Sequence, residues 1–310
     1  MESNRLFFHP ISLEDRLLMD NRATICGGQN CDINFMNIYG YQFYYHTEVT
    51  LWRNHLVFRF IADGHIAYMA LIDPDDAPTL LDILIEESEQ NNHPFLLMGV
   101  CENMIPIIEA SKPGYFAFTY HRDYCDYIYR REALMTLSGK KLQSRRNFAN
   151  RFRRLYPNYI YAPLSKDDFN DCLTLDKRWL QRKANGEVEE EDNAERAFIK
   201  RIFNAWDQLG GCGATIRVNN ELVAFTFGAA IREHIFDVCV EKANPLYEGS
   251  YAIINQEFAG HLPEQFELIN REEDLGIDGL RKVKMSYHPE IILKKYAVTA
   301  KHHFKDGKIK

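Results

Sequence analysis

The sequence predicts an α/β protein built as two similar halves in tandem, on three observations. The chain has 310 residues, a length that favours two domains of about 150 residues each over one. A six-residue pattern recurs about half the chain apart: Pro10-Ile11-Ser12-Leu13-Glu14-Asp15 and Pro163-Leu164-Ser165-Lys166-Asp167-Asp168 both read proline, aliphatic, serine, any residue, acid, aspartate. Behind each copy, a helical stretch gives way to strand-like segments and then to another helix. The halves are expected at residues 1–126 and 127–310.

Each copy of the pattern reads as a helix start. Ser12 and Ser165 can accept from free backbone N–H groups, and the acids behind them suit the positive end of the helix dipole. In the first half, Tyr41 to Glu48 and Leu56 to Ile61 are rich in aromatic and β-branched residues and read as strands; Asp63-Gly64 turns the chain into a further strand, His65 to Ile72. Ala77 to Gln90 is helical, with Leu80, Leu81, Leu84 and Ile85 on one face.

In the second half, Asp192 to Leu209 is helical. Three strands follow, Ala214 to Val218, Leu222 to Ala230 and Ile235 to Val240, the first two joined by Asn219-Asn220, a pair that tolerates the positive φ of a hairpin turn. A helix from Gly249 to Leu262 closes the series. The run Gly186 to Asp192 is acidic, has no apolar face and reads as a solvated loop.

Composition narrows the function. Hydrophobic residues make up 46% of the chain and charged residues 26%, which fits a folded globular protein rather than a disordered one. The first residues lack the apolar core and cleavage site of a secretory signal, and no apolar run reaches the ~18 residues that span a bilayer, so a cytoplasmic location is expected. Seven scattered cysteines without a Cys-x-x-Cys pair argue against a disulfide framework or a zinc knuckle. A net charge of −7 argues against a general nucleic-acid coat, although a local basic site is allowed.

Such a site is present. Leu137 to Tyr156 is rich in lysine and arginine and contains no acid. On a helix, expected over 139–155, Leu142, Phe148, Ala149, Phe152, Leu155 and Tyr156 share an apolar arc, with Arg146, Arg151, Arg153 and Arg154 on the solvated side. Lys141 and Arg145 fall on the apolar arc instead. Either their stems snorkel past a core edge, or the two cations face a ligand phosphate or carboxylate between the halves.

Two further segments carry candidate chemistry. The strand Ile235 to Val240 leads through a loop containing Tyr247, Gly249, Ser250 and Tyr251 into a helix, an arrangement whose backbone N–H groups can receive a pyrophosphate. A Walker loop and a dinucleotide fingerprint are both absent. Asn270 to Pro289 is the densest stretch, gathering Glu272, Asp274, Asp278, Arg281 and Tyr287; Asp278 and Arg281, at i and i+3, are expected to pair. No metal-ligand spacing is evident, and no metal is expected.

Tyr127 to Phe152, Tyr156 to Leu164 and Asn270 to Pro289 resemble the motifs of a bacterial family of unknown function that is similar to the C-terminal domain of phosphatidylglycerol lysyltransferase. That resemblance covers most of the chain and implies two tandem GNAT-type (acyl-CoA N-acyltransferase) domains, with mixed, mainly antiparallel sheets flanked by helices. It further implies an N-acyltransferase that moves an acyl or aminoacyl group from coenzyme A or the acceptor end of an aminoacyl-tRNA to an amine. In such a site the donor would lie at Val238, Val240, Tyr247, Gly249, Ser250 and Tyr251, helped by Lys141 and Arg145. Glu272 or Asp274 would serve as base, Arg281 would orient, and Tyr287 would donate to the leaving group. Only Gly249 stands where the superfamily has spaced glycines, which favours the alternative of a non-catalytic ligand sensor with the same fold. The membrane-embedded half of the lysyltransferases is absent, so neither membrane insertion nor a lipid substrate is implied.

Overall fold

The computed structural model describes residues 5–22, 28–183 and 193–301; the acidic run Gly186 to Asp192 lies outside them. In chain order the elements begin with β1 (His9–Pro10), α1 (Arg16–Arg22), α2 (Phe35–Tyr45), β2 (Glu48–Trp52), β3 (His55–Ala62), β4 (His65–Ala70), α3 (Ala77–Gln90), β5 (Leu96–Cys101), α4 (Ile105–Ser111) and β6 (Phe116–Tyr120). There follow β7 (Asp126–Arg130), α5 (Arg131–Thr136), α6 (Gln143–Leu155), β8 (Ile160–Pro163), α7 (Phe169–Lys183), α8 (Ala194–Asn204), α9 (Trp206–Leu209), β9 (Cys212–Val218), β10 (Glu221–Arg232) and β11 (Ile235–Ala243). The series ends with α10 (Ser250–His261), β12 (Leu268–Asn270), α11 (Asp278–Met285), β13 (Ile291–Leu293) and β14 (Lys295–Ala300).

The recurring pattern is a structural repeat. Ser12 takes Asp15 into a capping box, its backbone N–H donating to Asp15 Oδ2 at 2.8 Å and its hydroxyl at 3.1 Å. Ser165 and Asp168 form the same box at 3.0 and 2.8 Å. Each box opens a one-turn helix that runs on into α1 or α7, satisfying backbone donors that would otherwise be orphaned.

The chain forms two units, residues 1–125 with 293–310, and residues 126–292. Unit 1 holds a seven-stranded sheet in the order β1-β2-β3-β4-β5-β14-β6, and unit 2 one that reads β8-β9-β10-β11-β12-β7-β13 from its other edge. Both are mixed and mostly antiparallel, the tandem GNAT-like fold. In each, a three-stranded antiparallel meander is followed by a helix, α3 or α10, and then by a strand parallel to the meander's last, β5 beside β4 and β12 beside β11.

The sixth strand of the first sheet comes from the far side of the expected boundary at 126/127. β14 lies between β5 and β6 of the first sheet, while β7 lies between β12 and β13 of the second. The C-terminal stretch therefore supplies one strand to the first sheet, whereas β7, which begins at the boundary itself, stays with the second. Strand pairing is satisfied by backbone groups of any sequence, so the crossing of β14 left no mark in composition.

One expected strand is a helix. Tyr41 to Glu48 was predicted extended from its aromatics, but α2 runs through it to Tyr45, and only Glu48 begins β2. Asn34 accepts from the Met36 N–H at 2.9 Å and so nucleates the helix, which buries Phe35, Met36 and Ile38 and ends at His46 in the left-handed conformation. A satisfied N-cap and a buried face outweigh the weak strand preference of aromatic residues.

The core of unit 1 packs α3 residues Leu80, Leu81 and Leu84 on Val57, Tyr68 and Leu97. That of unit 2 packs Ile253, Ile254 and Phe258 of α10 on Phe236 and Ile269, with Ala149 and Phe152 of α6 against the same cluster. No helix among the described residues is long and apolar enough to cross a membrane.

Candidate functional site

Two features of unit 2 break its regularity. The register of β11 against β10 shifts between the Phe227↔Val240 and Ala229↔Asp237 pairs, a bulge that reverses which side chains face α10. Gly228 makes it possible, since a Cβ there would lie 1.8 Å from the Asp237 carbonyl oxygen. Phe236 packs on Phe258 before the bulge, and Glu241 reaches Asn255 after it. Secondly, the parallel ladder between β11 and β12 consists of Ile235↔Leu268, Phe236↔Ile269 and Asp237↔Asn270. β11 continues to Ala243, so beyond Asp237 the two strands part.

The loop that leaves β12 is fastened at every step. Buried Asn270 donates to Asp126 Oδ2 at 2.8 Å and accepts from the Glu272 N–H at 2.7 Å, which supports Glu272 at φ 54°. Asp274, fully buried, accepts from Tyr127 at 2.5 Å, from Arg281 Nε and Nη2 at 2.8 and 2.7 Å, and from the Gly276 N–H at 2.9 Å. Burial alone would raise its carboxyl, but the hydrogen bonds from Arg281, Tyr127 and Gly276 outweigh it and hold it at about 2. Lys284 turns inward and donates to the carbonyls of Arg271 and Glu273.

Arg271, only 9% exposed, occupies the opening beyond the ladder. Its Nη2 meets Glu241 Oε1 at 2.8 Å, and its guanidinium lies 4.9 Å from the Tyr287 ring and 5.7 Å from that of Tyr129. Burial works against the charge, but Glu241 more than offsets this and keeps Arg271 protonated. Glu241 Oε2 accepts from Asn255 at 3.2 Å. Arg145 of α6 reaches the same place, 5.3 Å from the Tyr287 ring. Tyr287 is buried, and burial pushes its phenol up.

The predicted residues are thus sorted. Arg281 pairs with Asp274 and not with Asp278, which is exposed in the first turn of α11; a guanidinium prefers a carboxylate it can grip with two N–H groups out of water. Asp274 has its oxygens occupied and is a poor base. Glu272 is half-buried beside Cys239 and Asp237, with ligand atoms of the three within 4.8 Å. Burial pushes the Cys239 thiol well up, and it donates to Asp237 Oδ2 at 3.7 Å.

The expected donor loop reads differently as well. Gly249 sits at φ 87°, and a Cβ there would lie 2.3 Å from the Phe148 carbonyl oxygen of α6. A helix crossing therefore explains the glycine, and it no longer points to a phosphate. Ser250 is buried and donates to the Asn244 carbonyl at 2.9 Å, Tyr251 accepts from Trp179 at 2.7 Å, and Tyr247 donates to Glu221 at 2.7 Å. Val238 and Val240 are buried, and the Val240 carbonyl accepts from Thr226 at 2.8 Å.

On α6 only Ala149 and Phe152 are buried. Phe148 and Leu155, expected inside, are 40% and 50% exposed, because the crossing with α10 covers a narrower stripe than the full apolar arc. Arg146 and Arg153, expected in solvent, are half-buried: Arg146 donates to the Leu137 and Gly139 carbonyls, and Arg153 to Gln256 and Glu257. Arg151 pairs with Glu248, and Lys140, Lys141 and Arg154 are exposed. Sequence reading missed Arg271, Glu241 and Asn255 as a group. The signal available was a charged pair directly behind a buried strand, Arg271-Glu272, where a solvated loop would not need Asn270 to hold it.

A family profile described as "Phosphatidylglycerol lysyltransferase, C-terminal" matches residues 25–299. A structure of a conserved protein of unknown function from Bacteroides thetaiotaomicron is 41% identical, covers 96% of this chain and 100% of its own, and has a TM-score of 0.90. The structure of L-PGS from Bacillus licheniformis is 14% identical, with 94% and 92% covered and a TM-score of 0.65. A tandem GNAT protein from the clavulanic acid biosynthesis pathway is 9% identical, with 96% and 98% covered and a TM-score of 0.50.

Proposed function

We propose that this chain, which belongs to the phosphatidylglycerol lysyltransferase C-terminal family, moves an aminoacyl group from the acceptor end of an aminoacyl-tRNA to an amine, with the chemistry in unit 2. The observation that carries this reading is the parting of β11 from β12 at Asp237 and Asn270. Among the described residues, it leaves the β12-facing side of β11 beyond Asp237 without a partner strand, next to Arg271 and Glu272. Backbone N–H groups fixed at such an opening can stabilise the oxygen of an acyl carbonyl as it gains charge. The amine nitrogen bonds to the carbonyl carbon, the bond from that carbon to the ribose oxygen breaks, and one proton passes from the amine to a base while the ribose oxygen gains one. Glu272 is the base this arrangement favours, because Asp274 is committed to Arg281 and Tyr127. Tyr287, a neutral phenol, would supply the proton to the leaving oxygen, and Arg281 acts only through the loop that it fastens.

An acyl-CoA donor has less support, because the glycine that argued for a pyrophosphate site answers to Phe148 instead. Exposed Lys140, Lys141 and Arg154 suit the phosphates of an RNA end. A second reading, a non-catalytic sensor with the same fold, is favoured by one observation: Asp274, Arg281 and Lys284 are all spent on internal bonds. The deciding experiment offers the full chain labelled aminoacyl-tRNA or acetyl-CoA together with a panel of amines. Transfer from the tRNA, lost in Glu272→Gln, is the expected result; transfer from acetyl-CoA alone overturns the donor, and transfer from neither favours the sensor.

A further inference from the structure

Successive residues of a strand face opposite ways, so where Glu241 of β11 turns to Arg271, Lys242 turns to the other side of the sheet and meets α7 and α8. Asp176 of α7 and Lys242 are 0% and 3% exposed. Lys242 Nζ donates to Glu195 Oε2 of α8 at 2.6 Å, and lies 3.7 Å from Asp176 Oδ1 and 3.7 Å from the centre of the Trp179 ring. Asp176 Oδ2 accepts from Arg196 Nη1 at 2.9 Å, whereas Oδ1 has no hydrogen-bond partner among the described residues.

A buried ion pair kept for stability closes its hydrogen bonds, because an unmet buried acceptor is costly. Here the lysine gives its short bond to the half-buried Glu195 and stops beyond hydrogen-bond reach of Asp176. Burial pushes the Asp176 carboxyl up, and Lys242 and Arg196 do not fully offset it. The acid form is the one that an amine can attack. An amine nucleophile, a carboxyl carbon and a second carboxylate able to take protons are therefore held together where water, which would reverse an amide, is kept out.

We propose that Lys242 and Asp176 condense, with Glu195 as the base, into an internal amide bond that staples β11 to α7. The Lys242 ammonium passes a proton to Glu195, and the freed lone pair bonds to Asp176 Cγ while Arg196 steadies Oδ2 as it gains charge. The bond from Cγ to the protonated Oδ1 then breaks, and that hydroxyl leaves as water, taking a second proton from the nitrogen by way of Glu195. One C–N bond replaces one C–O bond, and atoms and electrons balance with no further reactant. The bond is independent of the transferase reading, since none of these residues belongs to the loop behind β12.

Intact-mass spectrometry of the full chain, folded at neutral pH and then denatured, tests the bond. The mass is expected to fall short of the sequence by one water, and digestion to yield a branched peptide joining the segments around Asp176 and Lys242. Lys242→Arg, which keeps the charge, should retain the full mass, and Glu195→Gln should form the branch about a hundredfold more slowly. A wild-type chain that keeps its full mass after prolonged incubation overturns the bond, as does water loss that maps to an Asp-Gly pair, Asp63-Gly64 or Asp278-Gly279, without a branched peptide. A branch formed just as fast in Glu195→Gln overturns the base.

Discussion

Arg281 reaches back seven residues to hold Asp274 with two N–H groups, at 2.8 and 2.7 Å, and this grip sets the shape of the loop behind β12.

Asp274→Asn is therefore expected to lower stability by about 2 to 3 kcal/mol, the scale of charge-assisted hydrogen bonds lost from a buried acceptor. The carboxyl is depressed from 3.8 to about 2, so its contribution is complete above pH ~4 and is lost as the pH falls towards ~2. Urea unfolding of wild type and variant across that window should show their stabilities converging on acidification. A constant gap would mean that Asp274 is not the group titrating.

Gly249→Ala meets two penalties at once, a left-handed φ and a contact with the Phe148 carbonyl. A loss of about 2 kcal/mol or more is expected, whereas Gly279→Ala, where a Cβ meets nothing within 4 Å, should cost less than ~1 kcal/mol or stabilise the short helix. Thermal melts of the two variants side by side provide the measurement.

Ser12→Ala and Ser165→Ala each remove the hydroxyl from a capping box and should each cost about 1 kcal/mol. Asp168→Ala should cost more than Ser165→Ala, because Arg217 also loses its 2.7 Å partner. Equal effects in chemical denaturation would show that the serine carries the whole motif.

Replacing Lys140, Lys141 and Arg154 together by glutamine should weaken binding of an aminoacyl-tRNA acceptor stem and flatten its dependence on salt, by about 2 in log–log slope if all three touch phosphates. Filter binding over a salt series reads both. An unchanged slope would move the RNA to another face.

Residues that signal through their immediate neighbours were legible. The Ser12 and Ser165 starts, the meander through Asn219-Asn220 and the helix from Ala77 to Gln90 all depend on contacts within a few positions, and the structure reproduces them. Tyr41 to Tyr45 misled because a cap at Asn34, several residues upstream, decided the conformation. The candidate site was legible only as a list of charges. Which of them is spent depends on partners far along the chain: Tyr127 for Asp274, Glu241 for Arg271, Phe148 for Gly249. No local period records such meetings. The same distance explains why Asp278, adjacent in the helix, looked like the natural mate of Arg281.

The placement of β14 between β5 and β6 has a consequence for synthesis. On the ribosome, all of unit 2 emerges before the strand that joins β5 to β6 has been made. Until then those two edges stand open, with unpaired backbone groups of the kind that recruit foreign strands. The newborn chain is accordingly expected to hold its earlier-made sheet unfinished through most of translation, and to depend there on chaperones, whereas the later-made sheet already has β7 waiting when β12 arrives.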